Sequence, residues 1–247
     1  MPPVTGPRAE FARVRALVDA EPASAGAAAG TAGWLKRLCT VAIWDLPAWG
    51  VAVSLMTDGG STGVAAASDP TSGTVEELQF LLGEGPCLDA YTLRRPVLVT
   101  DLAADAASSW PGFTPAAHGY GVRAVFAFPL QVGAARLGAL DVYRDRVGSL
   151  SVVELTRALT FAQVVTLALL DGQEQAAAGE TLGGLDDALE SRYQVHQAQG
   201  MVMVQLGINL ADAMARLRAY AFANERSLGL VAADIVARRL TLQRDVS

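Results

Sequence analysis

The residues best suited to chemistry lie near the C-terminus, in Arg192–Leu217 (RYQVHQAQGMVMVQLGINLADAMARL). Gln197 and Gln199 can each donate and accept hydrogen bonds at a base edge. Arg192, Arg216 and Arg218 can meet phosphate or stack on a base. Ala198 and Gly200 remove bulk, which lets either a nucleotide or a neighbouring helix approach closely. Leu185, Ala188, Arg192, Val195, Gln199, Val202 and Leu206 recur at steps of three and four, the spacing of one helical stripe. Polar residues on such a stripe are costly unless they meet polar partners. The residues alone leave two readings open: a surface for RNA, or a helix with solvated ends and Arg192 reaching back to water.

The elements that must position these side chains are short helices. Gly207 is a helix stop, and Asn209 is an N-cap with Asp212 three residues on. A second helix then places Leu210, Ala213, Met214, Leu217, Tyr220 and Ala221 inward. A third carries Leu228, Val231, Ala232, Ile235, Val236 and Leu240 at the same spacing. Three amphipathic helices with short connections predict a small all-α bundle over residues 185–242. The run Arg192…His196-Gln-Ala-Gln-Gly200-Met201…Gly207…Ala213…Leu217-Arg218…Ala232…Ile235-Val236 resembles the ANTAR domain, an RNA-binding module of transcription antiterminators. It departs from the family at Gln199, where Lys is frequent. The resemblance implies binding to RNA hairpins by Arg192, His196, Gln197, Ala198, Gln199, Gly200, Arg216 and Arg218.

The preceding residues offer less. Pro86 favours a helix start, which puts Cys87 in a first turn, where backbone N–H groups stabilise a thiolate. The competing reading is a small buried hydrophobe. His118 sits in a Gly/Pro-rich stretch and, with Trp110, Phe113, Tyr120, Phe126 and Phe128, could line a ligand pocket; ordinary core is the simpler account of the aromatics. Ligand or redox sensing would fall on Cys87, Trp110, Phe113, His118 and Phe128. No catalytic residues are expected. Gly83-Glu-Gly85 lacks the lysine of a phosphate-binding loop, no nucleophile elbow appears, and acids such as Asp89, Asp101 and Asp141 read as solvated or capping groups. Only two His exist, in different domains, and Cys39 and Cys87 have no metal-ligand spacing. Neither a metal nor a cofactor is required by the sequence.

Residues 1–30 hold nine Ala, four Pro and three Gly, which predicts a flexible arm with a short helix over Glu10–Ala20. A helix follows over Trp34–Leu46, then strands at Trp49–Thr57 and Gly63–Ser68 and a helix at Glu76–Leu82. After a short strand at Pro96–Val99 and an irregular stretch, a hairpin at Val122–Val132 and Arg136–Arg144 leads to a long helix, Ser151–Asp171, opened by a Ser151/Glu154 capping box. That order predicts an α+β domain, an antiparallel sheet with helices gathered on one face. Residues 31–172 resemble a GAF domain, a small-molecule sensor fold, through Leu82-Gly-Glu-Gly-Pro-Cys-Leu-Asp-Ala90, Trp110-Pro-Gly-Phe113 and Phe128-Pro-Leu130…Leu137-Gly-Ala-Leu140. Residues 173–184, polar and punctuated by Gly, form the expected linker. The whole is similar to actinobacterial GAF–ANTAR regulators.

The 247 residues carry a net charge of −6 and are 51% hydrophobic, which permits real cores and argues against non-specific coating of nucleic acid. No leader is evident, and Ala158–Leu170 is shorter than the ~20 residues of a membrane span. The expectation is a cytoplasmic, non-enzymatic homodimer without a membrane partner. It would pair through the apolar helix Val152–Leu170 and bind RNA hairpins under control of an unknown small molecule. Two alternatives remain at this level: a DNA-binding repressor whose last helices form a helix-turn-helix, and a thiol-based enzyme acting through Cys87.

Overall fold

In the computed structural model, residues 6–23, 30–56, 62–177 and 186–243 are described. The sheet is built from runs of small and branched residues: β1 (Gly50–Met56), β2 (Thr62–Ala67), β3 (Val97–Val99), β4 (Ala124–Val132) and β5 (Ala135–Arg144). All pairs are antiparallel, in the order β2-β1-β5-β4-β3, so the β4–β5 hairpin predicted from sequence supplies the central strand and its neighbour. Every residue of β1 is buried, which requires cover on both faces. The helices therefore do not gather on one face as expected.

On one face lie α1 (Pro7–Ala20), α2 (Gly30–Asp45) and α7 (Val152–Ala177), packed on Val51, Val53, Leu55, Phe126, Phe128, Leu140 and Val142. On the other lie α3 (Pro70–Leu82), α4 (Pro86–Leu93), α5 (Leu102–Asp105) and α6 (Phe113–Gly119), over Ala52, Val125, Ala139 and Tyr143. The arm expected at the N-terminus is, over α1, part of the core. Val14 and Val18 are fully buried. Arg13 clamps the helix in place, reaching Glu10 at 2.7 Å and Asp45 at 2.6 Å.

The capping box forms as the sequence predicts: Ser151 N donates to Glu154 (2.6 Å) and Glu154 N to Ser151 Oγ (3.2 Å). The helix it starts runs six residues past the expected end, into the predicted linker; residues 178–184 of that linker lie outside the described residues. Val152–Gly172 has the length and apolarity of a membrane span. Its inner side, with Phe161, Val164, Val165 and Leu169, is committed to the sheet.

The C-terminal bundle comprises α8 (Asp186–Leu206), α9 (Leu210–Ala223) and α10 (Leu228–Val236). Gly207 has φ +66° at the first stop. Asn209 and Ser227 cap the following helices, accepting from Asp212 N (2.8 Å) and Leu230 N (3.3 Å). The third helix ends four residues before the predicted Leu240. The core is Val195, Ala198, Val202, Leu206, Ala213, Leu217, Ala221, Val231, Ala232 and Ile235, with Leu81 of α3 packed against it.

Candidate nucleic-acid interface and sensor interior

The inner stripe of α8 is Val195, Ala198, Val202 and Leu206. Ala198 is fully buried, so its small size serves helix packing and not a nucleotide, a correction to the sequence reading. Gln199 sits at the edge of that stripe, where its Nε2 donates to the carbonyl of Leu210 (2.8 Å). This bond ties α8 to the start of α9 and gives the polar residue the partner it needs.

The opposite side of α8 is open. Tyr193 is 71% exposed and Val204 75%. Between them, Gln197, Gly200, Met201 and Gln205 line a shallow groove of about 530 Å³. A Cβ on Gly200 would meet nothing within 4 Å, so packing does not demand glycine there. His196 is half-buried beside the groove and Arg216 is exposed on α9. Arg192 lies in α8, but its side chain falls outside the described residues. Tyr193, absent from the sequence reading, shares the outer stripe with Gln197, Gly200 and Val204 at steps of four, three and four; that spacing was the signal available.

Arg218 does not share this surface. Its guanidinium lies against Gly83, where an added Cβ would stand 2.4 Å from Nη1. Its Nε is buried without a hydrogen-bond partner, and loss of water pulls its pKa down. Close by, a cleft of about 680 Å³ separates α3 from the bundle, lined by Thr74, Glu77, Leu78, Leu81, Tyr120, Val195, Phe222 and Ser227 among others. Glu77 is exposed at the cleft's mouth, yet the nearby walls displace enough water to push its carboxyl pKa up.

Inside the first domain, the two sequence signatures around Gly83–Cys87 and Trp110–Phe113 prove to be one assembly. Glu84 Oε1 accepts from Gly112 N (2.6 Å) and Phe113 N (2.8 Å), and Asp89 accepts from Trp110 Nε1 (3.2 Å). Gly85, at φ +139°, crosses directly over Gln79, whose Oε1 would lie 2.4 Å from a Cβ. Pro86 begins α4 as predicted.

Trp110, Phe113 and Phe128 follow the simpler of the two readings, ordinary core, and do not meet around one cavity among the described residues. Trp110 and Phe113 pack edge to face in the core beneath α3, with centroids 6.2 Å apart, while Phe128 points through the other face of the sheet. His118, in the last turn of α6, borders a surface depression with Thr114 and Pro115.

Cys87 is fully buried, and burial drives its thiol pKa well up, the reverse of a reactive thiolate. Cys39, also buried, is pushed up to about 12. Helix position lowers a thiol pKa only where water or a cation supports the charge, and here neighbouring carboxylates oppose it.

Those carboxylates form a shell that the sequence reading missed. Glu76 and Asp141, both fully buried, share the amide of Gln79: its Nε2 donates to Glu76 Oε2 (3.1 Å) and Asp141 Oδ2 (2.8 Å). Ser54 Oγ donates to Glu76 Oε1 (2.6 Å), and the Tyr143 hydroxyl donates to Glu76 Oε2. The Gln79 carbonyl accepts from Cys87 N (2.7 Å). Asp141 is not the solvated acid expected; burial first, and the charge of Glu76 second, hold its pKa well above the usual range. Strand alternation set Asp141 and Tyr143 on one face and the helical step of three set Glu76 beside Gln79, but only pairing of β5 with α3 joins them.

A GAF domain model matches residues 34–170 and an ANTAR domain model residues 184–236. The fold is also that of the GAF domain from a phosphoenolpyruvate-protein phosphotransferase of Coxiella burnetii, 16% identical, with a TM-score of 0.52 over 69% of this chain and 96% of that one. The corresponding domain from Acinetobacter is 10% identical, with a TM-score of 0.51 over 72% and 99%. A free methionine-R-sulfoxide reductase from Neisseria meningitidis also aligns, at 16% identity and a TM-score of 0.46 over 68% and 90%. Among curated proteins, no sequence relative matches.

A five-stranded antiparallel sheet covered by helices on both faces and matched over more than half the chain is a GAF domain, the class of the sensor folds. With the ANTAR domain that follows it, the chain belongs to the GAF–ANTAR family of regulators. Its domain content is regulatory, an RNA-binding antitermination module joined to a small-molecule sensor.

Proposed function

We propose that this protein binds hairpins in nascent transcripts through the outer stripe of α8 and so prevents a terminator from forming. The observation that carries the reading is a tyrosine and a glutamine left open beside a glycine that packing does not require. Unpaired loop bases stack on exposed aromatics and offer their edges to amides, while a bare glycine backbone lets them come close. Arg216 and His196 are the phosphate-facing candidates around it, and Arg192, whose side chain lies outside the described residues, is the third candidate by sequence. Gln199 contributes by fixing the α8–α9 angle.

Two hairpins suit two copies of the bundle. The outer face of α7 exposes Val152, Leu159 and Leu167 at helical spacing, and this is the proposed dimer surface. Sedimentation should give a dimer that Leu159→Glu converts to monomer.

Control runs through α3. Its inner side holds Glu76 and Gln79 in the polar shell, while Glu77, Leu78 and Leu81 face the bundle. A ligand that shifts α3 would release Arg218 from the Gly83 turn, a population shift between docked and free bundles. RNA affinity equal with and without the ligand would remove this switch.

The DNA-binding alternative is less supported. Ser227 to Gly229, at the start of the would-be recognition helix, line the interdomain cleft, and Asp234 is tied to Arg226 (2.5 Å) and Arg239 (2.7 Å). Competition between a two-hairpin RNA and a duplex DNA of the same sequence separates the readings. Preference for the RNA is expected; equal or better competition by the duplex would discard the proposal.

A further inference from the structure

The polar shell between the sheet and α3–α4 holds more negative charge than its partners neutralise. Glu76 and Asp141 are 0% exposed, and among the described residues neither forms an ion pair with Lys, Arg or His. Ser54, Gln79 and Tyr143 satisfy three of the four carboxylate oxygens. The fourth, Asp141 Oδ1, is buried with no hydrogen-bond partner. Leaving such an oxygen bare is costly, so the arrangement asks for a positive or proton-donating occupant.

A sulfur completes the set. One carboxylate oxygen each of Glu76 and Asp141 and the Cys87 Sγ lie within 4.8 Å of one another, contributed by α3, β5 and α4. No local sequence spacing links the three, which is why ligand-spacing rules pass over them.

We propose that Glu76, Asp141 and Cys87 bind a divalent transition-metal ion, of the class of zinc or ferrous iron, inside the sensor domain. Two carboxylates exclude a purely thiophilic ion, and a thiolate excludes magnesium and calcium, which take oxygen ligands. Around such an ion, metal–oxygen bonds of about 2.0 Å and a metal–sulfur bond of about 2.3 Å hold donors roughly 3.3–3.5 Å apart. The three donors, within 4.8 Å of one another, would have to draw together by up to about 1.5 Å to reach this. Gln79 and Tyr143 already grip the other carboxylate oxygens, the outer support that orients metal ligands. Three protein donors leave a coordination position for water or a small signal molecule. Without the ion, protons take its place: burial drives the Asp141 carboxyl and the Cys87 thiol up, and metal binding would release those protons. This site stands apart from RNA reading and is tested without RNA.

The experiment is a cobalt titration of the chelator-stripped full-length protein. One Co²⁺ per chain should bind, with a near-ultraviolet thiolate-to-cobalt charge-transfer band that zinc then displaces. The Cys39→Ser variant should keep both stoichiometry and band. In Cys87→Ser the band should vanish, and in Asp141→Asn affinity should fall at least tenfold. The Tm of the wild type should rise with zinc while that of Asp141→Asn does not, a readout that holds even if Cys87→Ser fails to fold. Absence of stoichiometric cobalt in the folded wild type overturns the proposal. So does an unchanged cobalt affinity in Asp141→Asn, or loss of the band in Cys39→Ser.

Discussion

Toward α1, α2 and α7 the sheet presents Val51, Val53, Leu55, Phe126, Phe128, Leu140 and Val142, every one a hydrocarbon. Toward α3 and α4 the same strands present Ser54, Asp141 and Tyr143, met by Glu76, Gln79 and Cys87. Burial is equally complete on both sides, so exposure does not distinguish them; chemistry does. The apolar face stabilises the fold whatever occupies the other. The polar face carries buried acids without cations, a cost that a domain tolerates where it binds something. The bundle repeats the division on one helix. Val195, Ala198, Val202 and Leu206 look inward, while Tyr193, Gln197 and Val204 look out, with the half-buried Gly200 between them.

The largest expected effect tests the apolar face. Phe161→Ala removes a fully buried ring from under the sheet and should cost about 3–5 kcal/mol by denaturant unfolding. A loss under about 1 kcal/mol would mean the two faces do not differ as described.

The polar face should answer to pH instead. The folded carboxyl of Asp141 lies above its unfolded value, so its contribution is complete below about pH 4 and is lost as pH rises toward the folded value. In metal-free protein, the stability of Asp141→Asn relative to wild type should therefore climb with pH, by at most about 1.4 kcal/mol per unit. A flat difference between pH 4 and 7 would contradict the uncompensated charge.

Smaller effects resolve the helix that repeats the pattern. Gln199→Ala breaks the bond to Leu210 and should cost about 0.5–1.5 kcal/mol. Gly200→Ala should stabilise the bundle by about 0.5–1 kcal/mol, since nothing blocks the methyl and alanine suits a helix. The same change should weaken RNA binding, separating a residue kept for contact from one kept for packing.

How far the sequence disclosed this depends on the range of the interactions. Caps and turns were legible because their partners are three residues apart: Ser151 with Glu154, Asn209 with Asp212, Gly207 at its left-handed stop. The hairpin at β4–β5 was legible for the same reason. Helices on both faces were not foreseen, although the unbroken apolar run of β1 pointed to it. Glu76, Gln79 and Asp141 stayed hidden because their meeting spans more than sixty residues. At α8 the predicted stripe was right at Val195, Val202 and Leu206, but between them the inward residue is Ala198, with Gln199 at the edge. Arg218 was misplaced for another reason: its partner, the Gly83 turn, lies more than a hundred residues away.

The most direct measurement is the affinity of a two-hairpin RNA for the full-length protein against a Tyr193→Ala/Gln197→Ala variant. Each lost base contact should be worth about 1–3 kcal/mol, so binding should fall by about thirtyfold or more while the unfolding midpoint stays put. RNA held as tightly by the variant as by the wild type would contradict the account.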